Sequence, residues 1–254
     1  MLVKSQIKYI QTLGDKKHRD KDGVFIAEGP KLIKELLEEK NVPLVSLFAL
    51  SDWVESHHSK IPSKQVTEIS ESELARISFL TTPNEVLGIF RKPVFAEMNP
   101  KGKFSLVLDN LQDPGNLGTI VRIADWFGTE YIICSEDSVD VFNPKVVQAS
   151  MGSVSRVQTL YTSIPAFLAR HQDIPVYASV LDGENIFTMN RLNEGMIIIG
   201  NESRGIGKEL LKISRHKITI PKRGRAESLN AAIAAGIILS QFLMSGSSPR
   251  SLPE

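Results

Sequence analysis

The chain has 254 residues, a net charge of +1, and 42% hydrophobic and 23% charged residues. This composition is typical of a globular protein with one large domain or two modest ones, and it excludes a module that binds nucleic acid through strong overall basicity. The single cysteine, Cys134, excludes an internal disulfide and a cysteine-clustered zinc site, and the five histidines show no ligand spacing beyond the adjacent pair His57 and His58.

Membrane and targeting segments are not expected. No apolar run approaches the ~20 residues that span a bilayer, and the stretch MLVKSQIKYIQ lacks the apolar region and the small-residue cleavage site of a signal peptide. The sequence therefore predicts a cytoplasmic protein with no membrane partner and no metal.

The first 90 residues alternate between helical and strand patterns. GPKLIKELLEEK has apolar residues at helical spacing, VPLVSLFAL and VLGIF are strand-like, and SESELARIS begins with a Ser and a Glu at capping-box spacing. These patterns predict a small α/β domain. Before them, KKHRDKDGVF mixes Lys16, Lys17, Arg19 and Lys21 with aspartates, which favours a solvated turn, although these basic residues could instead grip RNA.

A linker is expected over residues 93–103, where the chain has two prolines, a glycine and few core-forming residues. The predicted domains are therefore residues 1–92 and 104–246, with a tail over 247–254. The strands of the second domain, SLVLDN, YIICSE, VYASVL, MIIIG and KITIP, are nearly continuous apolar runs separated by helical patterns. Such runs predict a parallel sheet covered on both faces, with ligands outside the carboxyl ends of the strands.

Three polar loops follow these strands: GNLGTIVR, GNESRGIG and PKRGRAESLN. The second loop is not a phosphate-binding P-loop, because Ile206 and Gly207 stand where Lys and Ser or Thr are needed. The first has only two glycines at the wrong spacing for a Rossmann dinucleotide site. Neither a Ser-His-Asp order nor an H-E-x-x-H pattern supports hydrolysis.

The first loop has the features of a turn that leads into a helix. Pro114 and Gly115 make the turn, Asn116 is expected to cap a helix that starts near Leu117, and Arg122 lies about two turns along it. A helical side chain points back towards the helix N-terminus, so Arg122 either faces the ligand of the loop or is an ordinary surface arginine.

The other two loops allow both a functional and a structural interpretation. Gly200 permits close backbone approach at a strand end, and Glu202 either fixes a polar ligand group or is a solvated charge. Ser228 or Asn230 is expected to cap the last helix, AAIAAGIILSQFL, which is apolar on all sides and is therefore predicted to be buried.

Cations are concentrated around the last two loops. Residues 203–225 contain one anion, Glu209, and the following cations: Arg204, Lys208, Lys212, Arg215, Lys217, Lys222, Arg223 and Arg225. This segment either faces phosphate or is a solvated surface whose acidic partners lie elsewhere in the fold.

Taken together, the stretches LDNLQDPGNLGTIVRIADWFG, IIIGNESRGIG and ITIPKRGRAESLNAAIAAGI resemble the three motifs of the SpoU family of RNA ribose 2′-O-methyltransferases, within the SPOUT superfamily. The N-terminal part, with DKKHRDKDGVFIAEGPKLIKELL and TTPNEVLGIF, is similar to the ribosomal-protein-like α/β domain that many members carry. The resemblance therefore covers the whole chain. It implies an α/β fold in which the C-terminal parallel-sheet domain ends in a deep trefoil knot and is preceded by that small RNA-binding domain.

The resemblance also implies a cofactor and a partner. S-adenosyl-L-methionine would be held in a bent form by the last two motifs, and two copies of the chain would form a homodimer through the knot region. The residues that would contact the cofactor are Ile199, Gly200, Ile220, Ser228 and Leu229.

For the reaction, the resemblance implies that Asn116 and Arg122 face the ribose, that Glu202 supports the loop, and that Ser228 and Asn230 line the active site. Arg122 is the proposed catalytic residue of the family. Because a guanidinium group is nearly always protonated, we expect it to grip a phosphate and to stabilise the developing alkoxide rather than to act as a base.

The expected substrate is RNA, with ribosomal RNA preferred and transfer RNA as the alternative. A non-catalytic RNA-binding or ribosome-assembly factor is a further alternative, which the full set of motif residues disfavours. Lys222, Arg223 and Arg225 make the third motif more basic than the family pattern. The stretch KVVQASMGSVSRV also resembles the family loosely, and we consider at most a substrate role for Ser150 within it and for Asn143 just before it.

Overall fold

A computed structural model describes residues 2–57, 61–189 and 192–244. His58 and the tail over 247–254 lie outside the described residues. The chain divides into two compact units: the first runs to Ala96 and includes Asp140–Arg156, and the second comprises Glu97–Val139 and the chain from Val157 onward. The predicted domains are single ranges of sequence, whereas each of these units combines two ranges. The predicted domain limits therefore stay a prediction. Among the described residues, no helix is long and apolar enough to cross a membrane.

The first unit is built on a four-stranded mixed sheet with the order β1-β4-β2-β3. β4 is antiparallel to both β1 and β2, and β2 is parallel to β3. Its strands are β1 (Val24–Glu28), β2 (Leu44–Ala49), β3 (Val66–Glu68) and β4 (Val86–Arg91). Its helices are α1 (Lys4–Thr12), α2 (Lys16–Asp22), α3 (Pro30–Glu38), α4 (Ser51–His57), α5 (Glu71–Ile77) and α7 (Pro144–Ser150).

Local sequence signals explain where the helices of this unit begin. At α5, Ser70 Oγ accepts a hydrogen bond from the Glu73 N–H, and Glu73 Oε2 accepts one from the Ser70 N–H at 3.0 Å. This reciprocal pair is the predicted capping box, which is confirmed. At α3, Pro30 occupies the first turn, where its missing N–H costs nothing.

The predicted solvated turn around Arg19 is wrong. Residues 16–22 form α2, and Arg19 is only 1% exposed. Its Nη1 donates to the Leu13 and Gly14 carbonyls at 2.7 and 2.6 Å, and its Nη2 pairs with Asp140 Oδ2 at 2.6 Å. The alternating charges gave no sign of this burial, because the partner carboxylate lies more than a hundred residues further along the chain.

The second unit contains a six-stranded sheet with the order β10-β8-β9-β5-β6-β7 among the described residues. Every pairing in it is parallel, as predicted. Its strands are β5 (Phe104–Leu108), β6 (Tyr131–Cys134), β7 (Gln158–Tyr161), β8 (Val176–Asn185), β9 (Gly195–Ile199) and β10 (His216–Thr219). Its helices are α6 (Pro114–Trp126), α8 (Ile164–Arg170), α9 (Lys208–Ile213) and α10 (Ala231–Met244).

Burial explains which strands the sequence revealed. β5, β6 and β9 are buried at every residue, so they have the continuous apolar character from which they were predicted. β7 lies at the sheet edge, is only half-buried and was missed. Within the sheet, β6 and β7 lie on one side of β5, and β9, β8 and β10 lie on its other side. The carboxyl ends of β5 and β9 therefore mark the reversal where ligands bind in such sheets.

Candidate functional site

All three motif loops leave the carboxyl ends of parallel strands in the second unit. The first follows β5, the second follows β9 and the third follows β10. This common edge brings together side chains that lie far apart in the sequence. The arrangement was expected from the positions of the loops after apolar strands.

The first turn of α6 differs from the expectation. The helix begins at Pro114, and its N-cap is Asp113, whose Oδ1 accepts a hydrogen bond from the Asn116 N–H at 2.7 Å. Asn116 was predicted to be the cap, which is wrong. The proline explains the earlier start, since its fixed φ suits the first helical position. The side-chain amide of Asn116 is consequently available for other contacts.

Asn116 stands in the middle of a hydrogen-bond chain that joins all three motifs. Its Nδ2 donates to Glu202 Oε1 at 2.8 Å, and its Oδ1 accepts from Asn230 Nδ2 at 2.8 Å. Asn230 Oδ1 accepts from the N–H groups of Ala232 and Ile233, so Asn230 caps α10, as one of the two predicted candidates. The structure therefore brings together three of the predicted site residues.

The direction of this chain follows from its two ends. At one end, the helix N–H groups can only donate, so they require the Oδ1 of Asn230 and turn its Nδ2 towards Asn116. At the other end, an ionised Glu202 only accepts, so it requires the Nδ2 of Asn116. Both amide groups are thereby held in one orientation, and each keeps a second N–H for a ligand.

Arg122 lies about two turns along α6 and is exposed. Its guanidinium makes no hydrogen bond or ion pair with the described residues, and the Ser228 hydroxyl makes no hydrogen bond with them. The structure thus places both on the elements predicted for them but does not join them to the Asn116 chain. An exposed guanidinium beside the first motif can contact a polyanionic ligand without first breaking an internal ion pair.

The strand ends offer a surface that suits an adenosine-containing cofactor. A Cβ on Gly200 would overlap the backbone of Gly205 and Ile206, so the glycine permits close backbone approach there. Ile220 is half-buried, and Leu229 is 49% exposed, which leaves apolar groups beside the backbone polar groups of both loops. Apolar groups with a few backbone polar groups are the usual chemistry of cofactor sites, so these residues fit the cofactor.

Ile199 is the predicted cofactor residue with the least accessible side chain. It is 4% exposed, and its carbonyl accepts a hydrogen bond from the Asp109 N–H at 3.0 Å, which ties β9 to the end of β5. Its cofactor role stays a prediction.

A separate cavity of about 430 Å³ opens at the carboxyl ends of β5, β6 and β7. None of the predicted site residues lines it. Its charged lining residues are Asp109, Glu136, Asp137, Lys208 and Glu209. Among the described residues, no cluster of three or more His, Cys, Asp or Glu is arranged to hold a metal ion.

The two residues considered for a substrate role in and just before KVVQASMGSVSRV have structural contacts. Asn143 Oδ1 accepts from the Lys145 N–H at 2.9 Å and caps α7. Ser150 is fully buried, and its Oγ donates to the Val147 carbonyl at 2.8 Å. A buried hydroxyl that is already bonded cannot reach a substrate, so the prediction for Ser150 is wrong.

Sequence reasoning missed two residues that shape the site. Asn201 bonds to the turn that carries Glu202, and Asn110 sits after β5 with a φ of 55°, in the left-handed region that asparagine tolerates. The signal was present, since each asparagine lies two residues after the end of a buried strand. Asparagine is common in such turns, however, so its type alone does not reveal which groups it bonds.

Comparisons with known proteins support the resemblance in both parts of the chain. Residues 103–240 match the SpoU rRNA Methylase family, and residues 4–88 match the MRM3-like substrate binding domain. The chain is 28% identical over 242 residues to the 23S rRNA (guanosine(2553)-2′-O)-methyltransferase RlmP of Bacillus subtilis, covering 92% of this chain and 94% of that protein.

Two solved structures are similar over nearly their whole length. One, from Porphyromonas gingivalis and assigned to the TrmH family of RNA methyltransferases, is 37% identical with a TM-score of 0.81, covering 96% of this chain and 99% of that one. An rRNA methyltransferase from Sinorhizobium meliloti, solved with AdoMet bound, is 32% identical with a TM-score of 0.83, covering 98% and 97%.

A parallel α/β sheet with three motif loops at its carboxyl edge, together with these similarities, defines the class as RNA methyltransferases. The matched residues 103–240 make up more than half of the chain. The chain belongs to the SpoU rRNA methylase family, and the predicted family is confirmed.

Proposed function

We propose that the protein transfers a methyl group from S-adenosyl-L-methionine to a ribose 2′-oxygen of ribosomal RNA. The observation that carries this proposal is the hydrogen-bond chain Glu202–Asn116–Asn230, which unites the three motif loops at the reversal of the sheet. A module that only bound RNA would have no need to hold two amide groups in one orientation at this edge. The B. subtilis relative, named as an rRNA 2′-O-methyltransferase, supports the choice of substrate.

The residues of the chain position the reactants and stabilise charge. The cofactor supplies an electrophilic methyl group on a sulfonium. Asn116 and Asn230 each present a spare amide N–H that can orient the ribose or a neighbouring phosphate. The guanidinium of Arg122 grips the phosphate next to the reacting nucleotide and stabilises the negative charge that develops at the 2′-oxygen. As this oxygen bonds to the methyl carbon, its proton would pass to water, and the carbon–sulfur bond would break to leave S-adenosyl-L-homocysteine. Holding both reactants in line supplies much of the remaining rate enhancement.

The proposed cofactor contacts come from both strand-end loops. Backbone groups at Gly200 and apolar groups of Ile220 and Leu229 would hold the adenosine, with Ser228 at the side of the reacting ribose. We further propose that the chain around β8, β9 and β10 forms the trefoil knot of the superfamily. The close approach of Gly183 to the backbone of β10, where a Cβ would overlap Ile218, supports it.

We propose that the active form is a homodimer. Among the residues that the structure describes, one stripe of α10 is exposed: Ile233 is 54% exposed, and Met244 on the same side is 50% exposed. The neighbouring helix α6 presents Trp126 at 81% exposure. Exposed apolar residues of this size on adjacent helices mark an interaction surface, and a second copy of the chain would bury them.

The N-terminal part supplies the proposed RNA-binding domain. Its similarity to the MRM3-like substrate binding domain over residues 4–88 supports this role, with residues 1–92 as the domain, 93–103 as the linker and 104–246 as the methyltransferase domain. Ribosomal RNA lies in the cytoplasm of bacteria, which is the compartment we propose.

The test is methyl transfer from labelled S-adenosyl-L-methionine into unmodified ribosomal RNA and, separately, into transfer RNA, followed by digestion to nucleosides and mass analysis. We expect a ribose-methylated nucleoside from ribosomal RNA. Arg122→Ala should lower the rate by roughly 100- to 1000-fold, because it removes a donor to developing charge. Arg122→Lys should remain at least about tenfold below wild type, since an ammonium group lacks the planar fork of guanidinium.

Each other outcome has a defined meaning. Methylation of transfer RNA alone would replace the proposed substrate. Cofactor binding without transfer to either pool would make a pre-ribosomal particle the next substrate to test. Absence of both binding and transfer would favour a non-catalytic assembly factor, and a lysine variant as active as wild type would contradict the proposed geometry of Arg122.

A further inference from the structure

The side chain of Asn201 bonds to two different loops. Its Oδ1 accepts from the N–H groups of Ser203 and Arg204 at 2.9 and 3.0 Å, which folds the turn after β9. Its Nδ2 donates to the Asn110 carbonyl at 2.7 Å, across 91 residues of sequence. Because two N–H donors occupy the Oδ1, the amide cannot be reversed, and its Nδ2 must face Asn110.

Asn110 is a fixed anchor rather than a mobile loop residue. Its N–H donates to Ser135 Oγ at 2.8 Å, and its Nδ2 donates to Asp137 Oδ2 at 2.6 Å. Its Oδ1 accepts from Gln112 Nε2 at 2.7 Å. Every polar group of Asn110 is therefore bonded: its N–H and side-chain amide hold it to the loop after β6, and its carbonyl accepts from Asn201.

These contacts lie next to the hydrogen-bond chain Glu202–Asn116–Asn230. Asn201 directly precedes Glu202, whose Oε1 accepts from Asn116 at 2.8 Å. The turn is closed by paired backbone hydrogen bonds between Asn201 and Gly205, at 3.1 and 2.9 Å. Beyond the backbone bond between Ile199 and Asp109, the second motif is joined to the first by three side-chain hydrogen bonds: Asn201 with Asn110, Gly207 with Asp109, and Glu202 with Asn116. Of these three bonds, the one between Asn201 and Asn110 lies directly beside Glu202, whereas Gly207 bonds to Asp109 at the far end of the turn.

We infer that Asn201 is a positioning residue for methyl transfer: by bonding to the Asn110 carbonyl, it holds the turn so that Glu202 reaches and orients Asn116. This inference rests on the proposed function. Asn201 acts through Glu202 and has no contact of its own with Asn116. The inference therefore predicts that the effect of substituting Asn201 depends on whether Glu202 is present.

The experiment is a double-mutant cycle with Asn201→Asp and Glu202→Gln in the full-length protein, measured by kcat and KM for RNA methylation. Asn201→Asp keeps the acceptor for Ser203 and Arg204 but loses the donor to Asn110 and sets a carboxylate against its carbonyl. We expect kcat to fall by about 30-fold with KM for RNA within about threefold, the pattern of an interaction needed in the transition state.

The combined variant separates positioning from a general structural role. If Asn201 acts through Glu202, then Asn201→Asp in the Glu202→Gln background should cost no more than about threefold in addition. Costs that multiply fully in the combined variant would overturn the inference, whatever the unfolding midpoint of each protein. Asn193→Asp, the same chemical change at an exposed position of the same unit, is the matched control and should retain wild-type kcat.

The wild-type reaction distinguishes this inference from the proposed function. If the wild-type protein transfers no methyl group to RNA, the proposed function fails. If wild type is active and Asn201→Asp has a kcat within threefold of it, the positioning role alone is wrong.

Discussion

The two units each contain a polar contact that joins distant parts of the chain, but the two contacts differ in burial. In the first unit, Arg19 is 1% exposed and bonds to two carbonyls and to Asp140. In the second unit, Asn116, Glu202 and Asn230 form a chain that is open to solvent and leaves amide N–H groups unused. A contact buried among its own partners stabilises the fold, whereas an exposed contact with spare donors is available to a ligand. Substitutions should therefore affect stability in the first and activity in the second.

The largest effect is expected at the buried pair. Arg19→Leu leaves the Asp140 carboxylate without its partner, so we expect the free energy of unfolding to fall by about 3–5 kcal/mol. Urea unfolding monitored by fluorescence measures the change. The control is Lys17→Ala, which alters an exposed lysine of the same helix and should shift stability by less than about 0.5 kcal/mol. Equal stability of the two variants would contradict the difference between the units.

The next effect concerns activity without a matching loss of stability. Asn116→Asp places a carboxylate against Glu202, so we expect methyl transfer to fall by about 100-fold, or about 2.7 kcal/mol of activation free energy. Adding Glu202→Gln restores a donor to the pair, while the oxygen at position 116 still accepts from Asn230. The double variant should recover at least about tenfold in kcat.

The comparison of single and double variants decides what Asn116 contributes. Recovery means that the reaction needs the hydrogen bond between positions 116 and 202. A double variant as slow as Asn116→Asp alone would mean that the amide of Asn116 itself contacts the substrate, and the role of Glu202 as its orienting partner would be lost.

A smaller effect is expected from the basic loop of the third motif. Lys222, Arg223 and Arg225 are exposed on the segment between β10 and α10. Replacing all three by alanine should weaken RNA binding by about tenfold, and it should reduce the slope of log K against log salt by about 2, or ~0.7 for each phosphate contact. Filter binding over a salt series measures both quantities. An unchanged slope would mean that these three cations do not contact phosphates of the RNA.

The smallest effect is expected at an exposed cap of the first unit. Ser70→Ala removes the side chain that accepts from the Glu73 N–H at the start of α5, so we expect a loss of about 1 kcal/mol in unfolding free energy. Methyl transfer per folded molecule should be unchanged. Thermal unfolding combined with the transfer assay tests this, and a change in kcat would show that α5 influences the reaction.

Much of the fold could be predicted from local patterns. The fully buried strands β5, β6 and β9 and the capping box at Ser70 were read correctly, because continuous apolar runs and short polar spacings act within a few residues. The half-buried edge strand β7 was missed because it lacks a continuous apolar run. The start of α6 was misplaced by three residues, since Asp113 and Asn116 are both good capping residues and only the backbone shows which one caps.

Three of the predicted site residues are joined in the structure, but their connections could not be predicted from the sequence, and their roles stay a prediction. Asn116, Glu202 and Asn230 were identified from the motifs, and the structure joins them directly. Their order in the hydrogen-bond chain follows from the N–H groups of α10, which bond to the Oδ1 of Asn230. The contact between Asn201 and Asn110 depends on the direction of the Asn110 carbonyl. Side-chain type does not determine either property.

By itself, the sequence of this protein determined its family, its alternation of helices and buried strands, and the three motif loops that follow buried strands. These properties follow from residue type and short-range spacing, which act locally along the chain. Only the tertiary structure decided that Arg19 is buried against Asp140 and that Asn201 bonds to Asn110. Both contacts join residues about a hundred positions apart, and such pairs meet only after the sheet and helices have brought their backbones within hydrogen-bonding distance.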